Sequence, residues 1–175
     1  MNRELLTTSI LMVLFLQSVS AHGGEEEAGL TNLQVMLISL AISLVFFIAS
    51  RKLFTLDSNS KESIYLSLVL FTGAVHILLG IKDRIFLLGG VGVILFALLP
   101  LITKFGNANR SLSQAAVGLV VTIMFIGYFV SNHDLHFIVE DYLGLTTKFA
   151  ELGIIGLIVK NYMNKTGVES TESRS

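Results

Sequence analysis

The chain has 175 residues, of which 53% are apolar and only 14% are charged, and its formal net charge is −1. An ordinary soluble domain carries roughly 25% charged residues, so this composition leaves too little polar surface for a water-facing globule, and the near-neutral charge argues against a nucleic-acid partner. The lack of cysteine excludes disulfides, thiolate metal sites and a cysteine nucleophile. With a mean hydropathy of +0.74, the chain is predicted to lie in a lipid bilayer.

Residues 1–21 are typical of a secretory signal peptide. Arg3 precedes the apolar run from Ile10 to Leu16, and Val19 and Ala21 suit the two small-residue positions of a signal-peptidase site. We therefore expect cleavage after residue 21. The alternative is that this segment is retained as an additional first span.

The expected mature chain begins with an acidic extracytoplasmic arm, residues 22–29. An amino-terminal His22 offers an α-amine and an imidazole that can chelate one Cu(II) ion, because copper favours nitrogen donors. Glu25, Glu26 and Glu27 add oxygen ligands. The alternative is that small and polar residues simply follow the cleavage site and that the glutamates keep the arm outside.

Five apolar blocks follow, each close to the length of about 20 residues that crosses a hydrocarbon core. The predicted spans are Leu30–Ser50, Ser63–Ile81, Ile85–Phe105, Leu112–Ser131 and Leu143–Asn161. Short connections make successive helices antiparallel neighbours. We therefore predict an all-α, polytopic transmembrane bundle over residues 30–161, with Pro100 kinking the third span lightly near its end.

The second and fifth spans carry ionisable residues, which usually face a bundle interior or an aqueous cavity and are functional candidates. His76 lies between Gly73 and Gly80 on a stripe of small residues where a neighbouring helix can approach. Lys148 and Glu151 are one helical turn apart and can pair, or Glu151 can reach His76. This set is either a structural hydrogen-bonded cluster or part of an ion pathway.

Between the fourth and fifth spans, residues 133–142 are predicted to form a short helix in the membrane interface. Four apolar residues recur at helical spacing on one face, Leu135, Ile138, Val139 and Tyr142. His133, His136 and Glu140 share the opposite face. Two imidazoles and a carboxylate can bind a divalent ion; the alternative is a solvated polar face.

The basic residues predict the orientation of the bundle. Eight of them fall on one side, at Arg51, Lys52, Lys61, Lys104, Arg110, Lys160, Lys165 and Arg174. The positive-inside rule places that side in the cytoplasm. We therefore predict a multi-pass cell-membrane protein with an extracytoplasmic amino terminus and a polar cytoplasmic tail, residues 162–175, disordered from Thr166 onward.

The segment from Gly73 to Leu88 resembles a motif of the HupE/UreJ family of small membrane proteins. The matching residues are Gly73, His76, Ile77, Gly80, Phe86 and Leu87, and Lys82-Asp83 stands where the family has Asp-His. The resemblance implies a signal peptide, a handful of spans and a role in nickel or cobalt uptake.

The leading functional prediction is a multi-pass membrane protein, not an enzyme, that handles or transports a divalent metal ion (Ni, Cu or Zn) from the extracytoplasmic side. The predicted ligands are His22, His133, His136 and Glu140. A single intramembrane histidine favours capture or delivery over complete translocation. The alternative is a non-catalytic accessory subunit of a larger membrane complex, of the respiratory or copper monooxygenase type, that contacts other membrane subunits.

Overall fold

The computed structural model describes residues 30–53, 60–81, 83–131 and 140–172, with side chains over 30–50, 61–81, 83–131 and 140–164. This part of the chain is all-helical. Its helices are α1 (Asn32–Leu53), α2 (Ser60–Leu79), α3 (Arg84–Ile102), α4 (Lys104–Ala108), α5 (Arg110–Ser131) and α6 (Tyr142–Glu172). The predicted signal peptide and acidic arm lie outside the described residues.

Five of these helices, all except α4, are long and apolar enough to cross a membrane, which confirms the five predicted membrane helices. Consecutive long helices run in opposite directions, so the bundle has two ends. One end of the bundle, which we call the Asp141 end, holds the first residues of α1, α3 and α6 and the last residues of α2 and α5. The opposite end, which holds the starts of α2 and α5, is called the Arg110 end.

The third span ends earlier than predicted, at Ile102 instead of Phe105. Thr103 has extended backbone angles, φ −129° and ψ 143°, and its hydroxyl accepts a hydrogen bond from the Gly106 amide at 2.9 Å. A threonine side chain that caps a new helix in this way competes with continuation of the old one. The short helix α4 is therefore separate from α3.

The last helix is longer than predicted, because α6 continues to Glu172 instead of ending near Asn161. The expected disorder from Thr166 is wrong for the residues up to Glu172, since a helix that is already nucleated gains one backbone hydrogen bond per added residue. Most of the predicted interfacial helix, residues 133–142, lies outside the described part of the chain. Of its last residues, Asp141 is not helical and Tyr142 begins α6.

Helix α2 lies at the centre of the bundle and packs against α1, α3 and α6. In its span 56% of the residues are buried, against 33% for the span of α6. The main core cluster consists of Tyr65, Leu66, Val69, Val93, Ala97, Val117, Val121 and Ile154. The outer faces of α1 and α5 instead expose large apolar side chains such as Leu44 and Leu119. An apolar surface of this extent is suited to lipid.

Glycines let α2 and α3 approach closely beside His76. A Cβ atom added to Gly90 would lie 2.6 Å from the Gly73 carbonyl oxygen, 2.9 Å from the Ile77 nitrogen and 3.0 Å from the His76 Cβ. The first two of these atoms belong to backbone and cannot rotate away. The close contact of these two helices therefore fixes the position of His76 in the bundle.

Replacement of Gly90 by alanine is predicted to destabilise the bundle by roughly 1–3 kcal/mol, because the added methyl group overpacks the contact between α2 and α3. Gly92→Ala is the matched control on the same helix, since its added Cβ meets no atom within 4 Å in the part of the chain that the structure describes. Thermal unfolding of the purified proteins in detergent measures both effects. Equal unfolding temperatures for the two variants would contradict the close approach.

Candidate functional site

Three ionisable side chains from α2 and α6 meet inside the bundle. His76 lies in the last turn of α2, and Lys148 and Glu151 lie on successive turns of α6. Their exposed fractions are 4%, 5% and 0%. The structure thus brings together the three intramembrane residues that the sequence singled out, and we call them the polar cluster.

Within the polar cluster, Lys148 is fully hydrogen-bonded. Its Nζ atom donates to the two carboxylate oxygens of Glu151, at 2.8 and 2.7 Å, and to the Met124 carbonyl oxygen at 3.0 Å. These acceptors use all three protons of the ammonium group. Since both charges are buried, each one compensates the desolvation of the other.

The imidazole of His76 is oriented by its own helix. Its Nδ1 lies 2.9 Å from the Thr72 carbonyl oxygen. A carbonyl oxygen only accepts, so Nδ1 carries the proton, and Nε2 of the neutral ring has a lone pair. The Nε2 atom is 3.8 Å from Glu151 Oε1, beyond hydrogen-bond distance. The ring of Phe86 packs beside the imidazole, with centroids 5.6 Å apart.

A cavity of about 210 Å³ reaches the polar cluster from the Asp141 end. Its wall includes His76 and Lys148, and residues at the ends of several helices surround it, namely Asn32, Leu79, Asp141 and Gly144. Glu151 has no exposed surface and binds Lys148. The cavity therefore gives access to the imidazole and the ammonium group first, and to the carboxylate only through them.

Asp141 connects the mouth of this cavity to the polar cluster. Its carboxylate accepts hydrogen bonds from the Gly144 amide at 2.8 Å, which caps α6, and from the Tyr128 hydroxyl at 3.0 Å. The Tyr128 ring in turn lies 5.2 Å from Lys148 Nζ. A Cβ atom at residue 144 would collide with the Tyr128 hydroxyl, at 2.6 Å, so glycine is required for this contact.

The sequence did not predict the roles of Tyr128 and Asp141. The predicted interfacial helix over residues 133–142 includes Asp141 without giving it a contact, and the sequence does not single out Tyr128. An aspartate directly before an apolar block is a helix N-cap pattern that would have identified Asp141. Tyr128 gives no comparable signal, because its contact depends on how α5 packs against α6.

Of the four metal ligands predicted outside the spans, the structure describes only Glu140. His22, His133 and His136 lie outside the described residues, and Glu140 is an exposed residue immediately before the α6 cap. Within the described ranges, no three His, Asp or Glu side chains form a group that could hold a metal ion. The ligand set around residues 133–140 stays a prediction.

No protein-family profile, curated protein or solved structure matches this chain. The resemblance of residues 73–88 to the HupE/UreJ family stays a prediction.

Removing one member of the buried Lys148–Glu151 pair is predicted to destabilise the protein by about 3–5 kcal/mol, since it leaves an unpaired charge in the bundle. The single variants are Lys148→Met and Glu151→Leu, and the double variant should recover most of the loss. Chemical unfolding in detergent provides the double-mutant cycle.

The control is the partly exposed ion pair between Glu62 and Arg110, which we expect to contribute only about 0–1 kcal/mol. If replacement of Lys148 or Glu151 lowered the free energy of unfolding no more than replacement of Glu62 or Arg110, the Lys148–Glu151 pair would not be desolvated.

Proposed function

We propose that the protein binds a divalent transition metal ion from the extracytoplasmic side and delivers it through the cavity at the Asp141 end, without catalysing a reaction. The observation that carries this proposal is the convergence of the His76 Nε2 atom and the Glu151 carboxylate, 3.8 Å apart, behind a cavity whose wall includes His76 and Lys148. Imidazole nitrogen and carboxylate oxygen are donors that Ni(II), Cu(II) and Zn(II) accept.

The distribution of charge supports an extracytoplasmic location of this cavity. Lys61, Lys104 and Arg110 lie at the Arg110 end, whereas the opposite end has Arg84 beside Asp83 and Asp141. By the positive-inside rule the Arg110 end faces the cytoplasm. The cavity then opens on the same side as the proposed arm beginning at His22 and the loop with His133 and His136, which would collect the ion first.

The orientation of His76 suits a metal ligand. Metal-binding histidines usually donate the other ring N–H to a carbonyl or carboxylate, which fixes the ring and leaves the second nitrogen free to coordinate. The hydrogen bond from Nδ1 to the Thr72 carbonyl is such a contact. Two protein donors leave room for water or for ligands from residues 133–140.

Lys148 holds the position that an incoming cation would need. Its ammonium group binds both oxygens of Glu151, so a metal ion gains this carboxylate only when the ammonium moves aside. The Met124 carbonyl and the Tyr128 ring, whose hydroxyl binds Asp141, offer that ammonium other partners. Competition of this kind keeps affinity moderate, which suits capture and release more than storage.

The second candidate is an accessory subunit of a larger membrane complex, in which the polar cluster only holds helices together. Three surface glycines favour it, because Cβ atoms added at Gly92, Gly127 and Gly156 meet no atom of the described residues within 4 Å. Glycines of this kind let a helix from another subunit approach closely. Such a subunit is expected to leave gentle detergent extraction as part of a larger particle.

Titration of the purified full-length protein with Ni(II), Cu(II) and Zn(II) salts, followed by calorimetry, tests the proposal. His133→Ala with His136→Ala should abolish one site. Glu151→Gln and His76→Gln should weaken a second site at least roughly ten-fold, as expected for a lost ligand. Lys148→Gln should strengthen that second site, because the competing ammonium group is gone.

The opposite signs of the Lys148 and Glu151 variants are decisive, since a purely structural pair would respond to both in the same direction. Glu62→Gln is the control for removal of a carboxylate outside the cavity. Identical titrations for the wild type and all variants would exclude the metal site and leave the accessory-subunit function.

A further inference from the structure

A second polar cavity lies at the Arg110 end, away from the polar cluster. It has a volume of about 160 Å³, and six residues with hydrogen-bond donors line it, namely Lys61, Tyr65, Arg110, Gln114, Asn161 and Asn164. Tyr65 and His76 are eleven residues apart on α2, which corresponds to about 16 Å along the helix. The cavity therefore belongs to a different level of the bundle from the proposed metal path.

The electrostatics of this cavity favour an anion. Two cations, Lys61 and Arg110, and one carboxylate, Glu62, line it, so its formal charge is +1. The cavity also lies at the starts of α2 and α5, which begin at Ser60 and Arg110. Helix starts present unpaired backbone N–H groups and a partial positive charge. The charged side chains and the helix starts therefore both make the electrostatic potential in the cavity positive.

An unsatisfied hydroxyl group points independently to a missing ligand. Tyr65 is only 7% exposed, and its hydroxyl has no hydrogen-bond partner among the residues that the structure describes. A buried polar group without a partner costs free energy and requires an explanation. Because Tyr65 lines the same cavity as Lys61 and Arg110, a bound oxygen-rich anion would satisfy it.

The carboxylate of Glu62 uses part of the hydrogen-bonding capacity of the Arg110 guanidinium group. It accepts a hydrogen bond from one terminal nitrogen of Arg110, while guanidinium has five N–H donors. Arg110 therefore keeps donors for a second acceptor. Glu62 acts as an internal competitor of any anion in this cavity.

We propose that this cavity binds a phosphate group, as the headgroup of an anionic lipid or as free phosphate. Phosphate accepts several hydrogen bonds at once and pairs well with arginine and lysine, and basic pockets between helices at the cytoplasmic surface suit anionic headgroups. The site lies between α2, α5 and α6 where the apolar spans of α2 and α5 begin, and we expect this level to lie near the lipid phosphates. This proposal is independent of the proposed metal function.

The test is native mass spectrometry of the full-length protein in detergent, titrated with dioleoyl phosphatidylglycerol. Dioleoylglycerol, which has the same tails without phosphate, is the control ligand, and inorganic phosphate is the separate arm that identifies a free-phosphate site. Lys61→Gln should weaken binding about five-fold and Tyr65→Phe about ten-fold. Lys104→Gln removes an equal charge at the same end outside the cavity and should change little.

Glu62→Gln gives the sharpest outcome, because it removes the competing carboxylate and should strengthen binding several-fold, which loss of a merely structural ion pair would not do. Binding of the lipid or of inorganic phosphate with this pattern supports the site and identifies the source. Thermal unfolding confirms that each variant is folded; if one is not, the remaining two carry the test. The proposal would be overturned if the protein bound the phospholipid and dioleoylglycerol with equal affinity and did not bind inorganic phosphate. Weaker phospholipid binding by the Glu62→Gln variant than by the wild type would also overturn it.

Discussion

The buried ion pair between Lys148 and Glu151 is the interaction on which the rest of this structure depends. Two charges inside an apolar bundle are tolerated because each neutralises the other and the ammonium group also reaches the Met124 carbonyl. The pair therefore fixes how α6 packs against α5. It also determines what the neighbouring histidine faces, since His76 Nε2 is directed toward the same carboxylate.

The fold supports this pair through close backbone contacts rather than through amphipathic helices. Gly73 and Gly90 let α2 and α3 approach closely beside His76. Gly144 leaves room for the Tyr128–Asp141 hydrogen bond at the cavity mouth. In a bilayer there is little hydrophobic driving force between helices, so small residues and polar contacts hold them together. The chemistry of the proposed metal path and the stability of the bundle thus share the same residues.

The sequence predicted the five membrane helices because apolar length is a local property that hydropathy measures directly. It also predicted that Lys148 and Glu151 could meet each other, because they lie one turn apart on one helix. Glu151 could reach His76 because the two residues lie at similar depth on different helices. It did not predict Tyr128, the break at Thr103, the extension of α6 or the basic cavity around Tyr65. Those features depend on which helices become neighbours and on single side-chain caps, and neither is encoded in composition.

We propose that the cavity beside the polar cluster opens to the cell exterior. Cysteine-accessibility labelling tests it directly, because the chain has no cysteine of its own. Thr147→Cys places a thiol in the cavity wall, and Lys104→Cys places one at the opposite end. We predict that a membrane-impermeant thiol reagent labels residue 147 only from outside and residue 104 only from inside. Labelling of residue 147 only from the cell interior would contradict the account.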